Sequence, residues 1–86
     1  METTLPVTDS PLFEQLRHLT VDVLEIAPEQ VVPDASFADD LGADSLDLVE
    51  LVEAIEAEFS IRIDDAELAD VTTVGEAYSL VSSKLA

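Results

Sequence analysis

The spacing of apolar residues from Asp39 to Phe59 (DDLGADSLDLVELVEAIEAEF) constrains what this chain can fold into more than any other feature. Projected at about 100° per residue, Leu48, Leu51, Val52, Ile55 and Phe59 fall in one arc, the stripe of a helix packed on a core. Leu46, Val49, Glu50 and Glu53 fall largely opposite, with Asp47 and Glu56 towards the edges. Asp44 stands where this helix should begin. Its short side chain can accept backbone N–H bonds, and its charge complements the helix dipole. Ser45 is then the first helical residue, facing water at the mouth of a loop. Isolated surface leucines are common, yet a purely solvated face has little use for Leu46 directly beside Ser45.

The rest of the chain reads as further amphipathic helices. Residues 1–9 lack periodicity and read as a short, mobile lead; residues 10–86 form the domain. Ser10-Pro11 is a helix start, with serine as cap and proline at the first helical position. Leu12, Leu16, Leu19, Val23 and Ile26 share a face, which predicts a helix from Pro11 to about Glu25 that Ala27-Pro28 terminates. Arg17 and His18 project off that stripe. Residues 27–43 form a long connection that Val31, Val32, Phe37 and Leu41 should anchor to the core, and Gly42 allows a sharp turn before Ser45. Ser60-Ile61-Arg62-Ile63 is an extended connector too short for a strand. Asp64 or Asp65 caps a short helix through about Leu68. Thr73 and Glu76 form a capping box for a last helix to about Lys84, with Val74, Ala77, Tyr78, Val81 and Leu85 inward. The expected fold is all-α, a small four-helix bundle of three main helices and one short one, with a long loop between helices 1 and 2.

Charge narrows the function. Three basic residues against 20 acidic ones give a formal charge of −17, which excludes nucleic acid as a partner and disfavours anionic membrane surfaces. Basic patches on other proteins are the natural targets. Self-repulsion should weaken the fold at low ionic strength, so salt or divalent cations should stabilise it. At 86 residues there is little room for a deep pocket together with a catalytic apparatus. The chain has no cysteine, hence no thiolate chemistry and no disulfide. It has no apolar run of membrane-spanning length, and a soluble, cytoplasmic, monomeric protein is expected.

Catalytic and metal readings fail on spacing. Ser45 lies in Gly-Ala-Asp-Ser-Leu, not in a nucleophile elbow. His18, the one histidine, belongs to another helix and reads as a surface residue. Aligning Gly42 with the invariant glycine of an EF-hand loop puts Phe37 and Leu41 at ligand positions. Asp39/Asp40 and Asp64/Asp65 are at most weak surface sites for divalent ions, so no metal site is expected.

Residues 40–47, Asp-Leu-Gly-Ala-Asp-Ser-Leu-Asp, resemble the attachment motif of acyl carrier proteins. The likeness continues through Val49-Glu50-Leu51-Val52, Glu58-Phe59, Ala35-Ser36-Phe37 and Thr72-Thr73-Val74, and covers about Leu12 to Leu85. It implies a 4′-phosphopantetheine arm in phosphodiester linkage to Ser45, placed there by a phosphopantetheinyl transferase and carrying acyl groups as thioesters. The chain is then a non-catalytic carrier, a substrate of acyltransferases, ketosynthases, ketoreductases and related synthase enzymes.

On this reading Asp44, Leu46, Asp47, Val49, Glu50, Glu53 and Glu56 form the partner-binding face. Ile55, Phe59, Ile63 and Leu68 either line an acyl-chain pocket or are ordinary packed core. Glu53 stands where close fatty-acid carriers typically have an apolar residue, Ala57 where they often have an acid, and Arg62 in a usually neutral or acidic segment. Fatty acid biosynthesis is the first reading, and a discrete carrier of a polyketide or other secondary-metabolite pathway is the alternative. Peptidyl carriers fit less well, having less acid and usually a second glycine before the serine. An acidic protein-interaction module without a prosthetic group is the reading from a different class.

Overall fold

The computed structural model describes residues 10–85; the expected lead over residues 1–9 lies outside them. Four α-helices follow in order: α1 (Pro11–Leu24), α2 (Ser45–Phe59), α3 (Asp65–Ala69) and α4 (Val74–Leu85). A 3₁₀ turn, Pro28–Gln30, interrupts the long α1–α2 connection. Among the described residues there is no strand, only an isolated bridge between Ser36 and Thr73. The expected helical bundle is what forms.

Each main helix starts where its cap residue lies. Ser10 Oγ accepts from the N–H groups of Leu12 and Phe13, at 3.1 and 3.4 Å, satisfying amides that have no partner within the helix. At α4, Thr73 Oγ1 accepts from Glu76 N–H at 3.2 Å, and Glu76 Oε1 accepts from Thr73 N–H at 3.1 Å. The same Glu76 oxygen also takes the N–H and hydroxyl of Thr72, at 2.7 and 2.8 Å.

Helix α1 ends earlier than proline sterics suggest. Glu25 adopts a left-handed conformation (φ 56°) and donates its N–H to Val21 O at 2.8 Å. This cap closes the helix before Ala27-Pro28 is reached. Pro28 opens the 3₁₀ turn instead, held by Ala27 N–H donating to Gln30 Oε1 at 3.0 Å.

The inward face of α1 is also rotated from the expected stripe. Phe13, Leu16 and Thr20 are buried, whereas Leu12, Leu19, Val23 and Ile26 are only half-buried. Thr20 needs no outside partner, because its hydroxyl donates to Leu16 O at 2.8 Å. With Leu51 and Ile55 of α2 and Val74, Ala77 and Val81 of α4, these side chains form the core. Full burial of each large aliphatic or aromatic side chain contributes about 1.5–3 kcal/mol.

Val31, Phe37 and Leu41 anchor the α1–α2 connection as expected, but Val32 is 40 % exposed. Consecutive residues of extended chain face opposite ways, and Val31 has taken the inward position. Leu85, expected inside, is 46 % exposed, lying past Val81 where the core ends.

The connection is tied to the start of α4. Val74 N–H donates to Ala35 O, Gly75 N–H to Pro33 O and Phe37 N–H to Thr72 O, at 2.9, 2.9 and 3.0 Å. A Cβ on Gly75 would lie 3.0 Å from Pro33 O, so glycine is what permits this approach. No described helix is long and apolar enough to cross a membrane.

Candidate functional site

The loop that leads into α2 is built to present Ser45. Ser36 gathers it: its carbonyl accepts from Asp40 and Leu41 N–H at 2.9 and 3.0 Å, and its N–H donates to Asp40 Oδ2 at 2.7 Å. Gly42 turns through φ 69°, a left-handed conformation that favours glycine. Ala43 is then buried and donates its N–H to Phe37 O at 2.8 Å.

Asp44 and Asp47 cap α2 reciprocally. Asp44 Oδ1 accepts from Asp47 N–H at 2.9 Å, and Asp47 Oδ2 accepts from Asp44 N–H at 3.2 Å. Both carboxylates are thus stabilised by the positive end of α2. Ser45 occupies the first helical position, exposed to solvent. The N–H groups of Ser45 and Leu46 have no hydrogen-bond partner among the described residues.

Beyond Ser45 the outer face carries Leu46, 65 % exposed, Val49, 48 % exposed, and the exposed carboxylates of Glu50 and Glu53. Asp47 is half-buried by its capping role. Glu56 is half-buried too, and one of its carboxylate oxygens accepts from Ile63 N–H at 2.8 Å. That residue therefore fastens the α2–α3 connector as well as bordering the face.

On the inner side of α2 lies an apolar cavity of about 20 Å³. Leu48, Leu51, Val52 and Ile55 of α2, Ile63 and Leu68 from the α3 region and Leu80 of α4 are among the residues that line it. Every side chain in its wall is apolar. Of the four residues read as either pocket lining or packed core, Ile55, Ile63 and Leu68 border this cavity and Phe59 does not. Leu80 was missed, because it falls at the edge of the stripe formed by Val74, Ala77 and Val81. The cavity holds about one water-sized sphere. Anything longer requires side chains to rotate or helices to part.

His18 pairs with Asp22 on the outside of α1, at 3.7 Å with both exposed. It shares a groove with Glu58 near the far end of α2, about 20 Å along the helix axis from Ser45. It is therefore no base for the serine. Among the described residues no group of three or more His, Asp or Glu side chains is arranged to hold a metal ion.

The site fits a bulky anionic substituent. The hydroxyl of Ser45 is exposed, so esterification displaces nothing from the core, and a phosphodiester there meets the charge preference of a helix N-terminus.

Comparison with known proteins agrees. The family profile described as "Phosphopantetheine attachment site" matches residues 14–81. A curated acyl carrier protein of Petrotoga mobilis is 47 % identical over 79 residues, covering 92 % of this chain and 93 % of its own length. One from Thermosynechococcus vestitus is 42 % identical over 80 residues (93 % and 99 %), and one from Caulobacter vibrioides 47 % over 77 residues (90 % and 99 %). The chain belongs to the acyl carrier protein family, and its prosthetic group is covalently bound 4′-phosphopantetheine.

Proposed function

We propose that Ser45 takes the arm and that the chain shuttles acyl intermediates between enzymes of fatty acid biosynthesis. The arm supplies the thiol on which acyl groups ride as thioesters. The chain's own residues position, shelter and present. The observation that carries this reading is the juxtaposition of an exposed Ser45 with the apolar cavity, whose wall begins at Leu48, one turn further along α2.

The cavity also bears on the pathway. A saturated alkyl chain entering it leaves no polar atom unpaired. A polyketide intermediate would bury carbonyls with no donor in the wall, at a cost of about 1–3 kcal/mol each. The lining therefore favours alkyl cargo.

Leu46 and Val49 offer a small apolar centre within the carboxylates of Asp44, Asp47, Glu50, Glu53 and Glu56. Such a surface suits brief docking to basic patches on a phosphopantetheinyl transferase, acyltransferases, ketosynthases and ketoreductases, because charge complementarity speeds encounter more than it tightens binding. The chain contributes no catalytic group of its own and works in the cytoplasm.

Incubation of the unmodified chain with coenzyme A and a transferase should add one phosphopantetheine mass, and Ser45→Ala should abolish the gain. A gain that survives Ser45→Ala would overturn the assignment. Loading with octanoyl and with 3-oxo-octanoyl groups then tests the cargo. The alkyl form should shift the Leu48 and Leu80 methyl resonances more than the keto form; equal shifts would count against a fatty-acid carrier.

A further inference from the structure

A capping box needs only the bonds exchanged between Thr73 and Glu76. The Glu76 carboxylate does more. The oxygen that accepts from Thr73 N–H also accepts the N–H and hydroxyl of Thr72, at 2.7 and 2.8 Å. Thr72 lies outside α4, which runs Val74–Leu85, so these two bonds satisfy no amide of the helix. What they fix is the backbone of residue 72, and with it the direction of its carbonyl.

That carbonyl accepts from Phe37 N–H at 3.0 Å, and Val74 N–H donates back to Ala35 O at 2.9 Å. The two bonds flank the antiparallel bridge between Ser36 and Thr73. The other side of the same short segment holds the loop before α2. Ser36 O accepts from Asp40 and Leu41 N–H, and Phe37 O accepts from Ala43 N–H at 2.8 Å. Phe37 and Ala43 are both buried, so water does not readily replace either bond. Asp44, the cap of α2, comes next, and Ser45 follows it.

We propose that Glu76 is a positioning residue for Ser45, acting through Thr72, Phe37 and Ala43. The proposal rests on the reading of Ser45 as the attachment residue. Glu76 sets the Thr72 carbonyl, Thr72 sets Phe37, Phe37 sets Ala43, and Ala43 sets the point from which α2 starts. A hydroxyl that must react inside a transferase loses rate steeply when its placement loosens. Glu76 itself lies in a groove with Pro33, Asp34 and Asp70, lined by no residue of α2. It therefore orients the serine and takes no part in docking the α2 face.

Transferase kinetics on the unmodified full chain, with hydrogen exchange alongside, test this. Glu76→Ala should lower kcat for modification by about three- to tenfold and leave KM within about twofold, because orientation is lost while the α2 face is intact. Exchange at Phe37 and Ala43 should quicken by about fivefold, the worth of one hydrogen bond, while α2 beyond its first turn keeps its protection. Glu76→Gln keeps the accepting oxygen and should recover most of kcat. Thr73→Ala is the control for α4 itself. It removes the hydroxyl that accepts from Glu76 N–H and leaves the Thr72 bonds in place, so it should weaken the helix start without lowering kcat. Where Glu76→Ala does not fold, Thr72→Val, which deletes one of the three bonds to Glu76, should lower kcat by about twofold.

An unchanged kcat in these variants, a fall shared by Thr73→Ala, a Glu76→Gln no faster than Glu76→Ala, or a loss confined to KM overturns the positioning role. The two readings fail separately. If the parent chain gains its mass at Ser45 and Glu76→Ala is modified as fast, the attachment reading stands and the positioning role falls. If the gain survives Ser45→Ala, the attachment reading falls and takes the positioning role with it, whatever exchange at Ala43 shows.

Discussion

The Arg17 guanidinium grips the carbonyl oxygen of Val31 with two nitrogens, Nε at 3.3 Å and Nη2 at 3.1 Å. The same side chain pairs with Glu14 at 2.8 Å and lies 5.1 Å from the centre of the Phe13 ring. Val31 is fully buried, so its carbonyl has no water to turn to. This is how α1 holds the long connection that delivers Ser45. Arg17→Met keeps the apolar stem and removes the donors. It should lower stability by about 1.5–3 kcal/mol, the usual worth of a charge-assisted bond to a buried group. A urea midpoint equal to that of the parent chain would show that the clamp contributes nothing.

Asp44 performs two tasks that substitutions can separate. As N-cap it accepts from Asp47 N–H; as a charge it borders Ser45. Asp44→Ser retains a capping oxygen and loses the charge, so thermal stability should fall little while the initial rate of transferase modification drops. Asp44→Ala should lose both, with about 1 kcal/mol of stability gone. Equal transferase rates for Asp44→Ser and the parent chain at low salt would remove Asp44 from the recognition face.

Glu50 carries no structural bond among the described residues and is exposed. Glu50→Lys should therefore change stability by no more than about 0.5 kcal/mol. At low ionic strength it should slow modification of Ser45 severalfold, and the difference should shrink as salt screens the encounter. A rate deficit independent of salt would point to a steric cause instead.

Gly75 sets two preferences against each other. Alanine is favoured over glycine in a helix by about 1 kcal/mol. Here the added Cβ meets Pro33 O at 3.0 Å and disturbs the N–H bond to that oxygen. Overpacking of this kind costs about 1–3 kcal/mol, so Gly75→Ala should be net destabilising, by about 1 kcal/mol. Gly42→Ala meets no atom within 4 Å and should suffer only from its positive φ, by about 1–2 kcal/mol. Thermal denaturation of the two variants reads both signs; a stabilised Gly75→Ala would mean that Pro33 yields.

What the sequence made legible follows from locality. Asp44, Ser45 and the stripe from Leu48 to Phe59 interact within a few residues of one another, so the cap, the exposed first helical residue and the inner face could all be read from spacing. The same holds for Thr73 and Glu76. Long-range partners left no such mark. Phe13 is buried because Tyr78, 5.8 Å away ring to ring, and the returning connection cover a wider arc of α1 than its leucines define. Arg17, which projects off the apolar stripe, is fixed by a carbonyl 14 residues away. Glu56 looked like a free recognition charge until the connector supplied Ile63 N–H. The cavity wall needed α2, the α3 region and α4 at once, a condition no single helical projection contains.

Acid should expose the roles of Glu67 and Glu76. Glu67 is held below the ordinary glutamate value of 4.5, first by the Asp64 N–H and then by Lys84. Glu76 is held below it by the N–H and hydroxyl of Thr72 and the N–H of Thr73. A carboxylate whose pKa is depressed on folding contributes stability above its unfolded pKa, and that contribution is lost as pH falls through the lowered folded value. Protonation of the other acids works the opposite way, relieving self-repulsion in a chain of charge −17. Total stability therefore conceals the effect, whereas a difference between variants reveals it. The deficit of Glu76→Gln relative to the parent chain should be constant above roughly pH 5 and shrink once pH drops below roughly 4. Urea midpoints of the two proteins at pH 7 and pH 3 measure it. A deficit that persists undiminished in acid would show that Glu76 acts through shape and hydrogen bonding alone, with its charge playing no part.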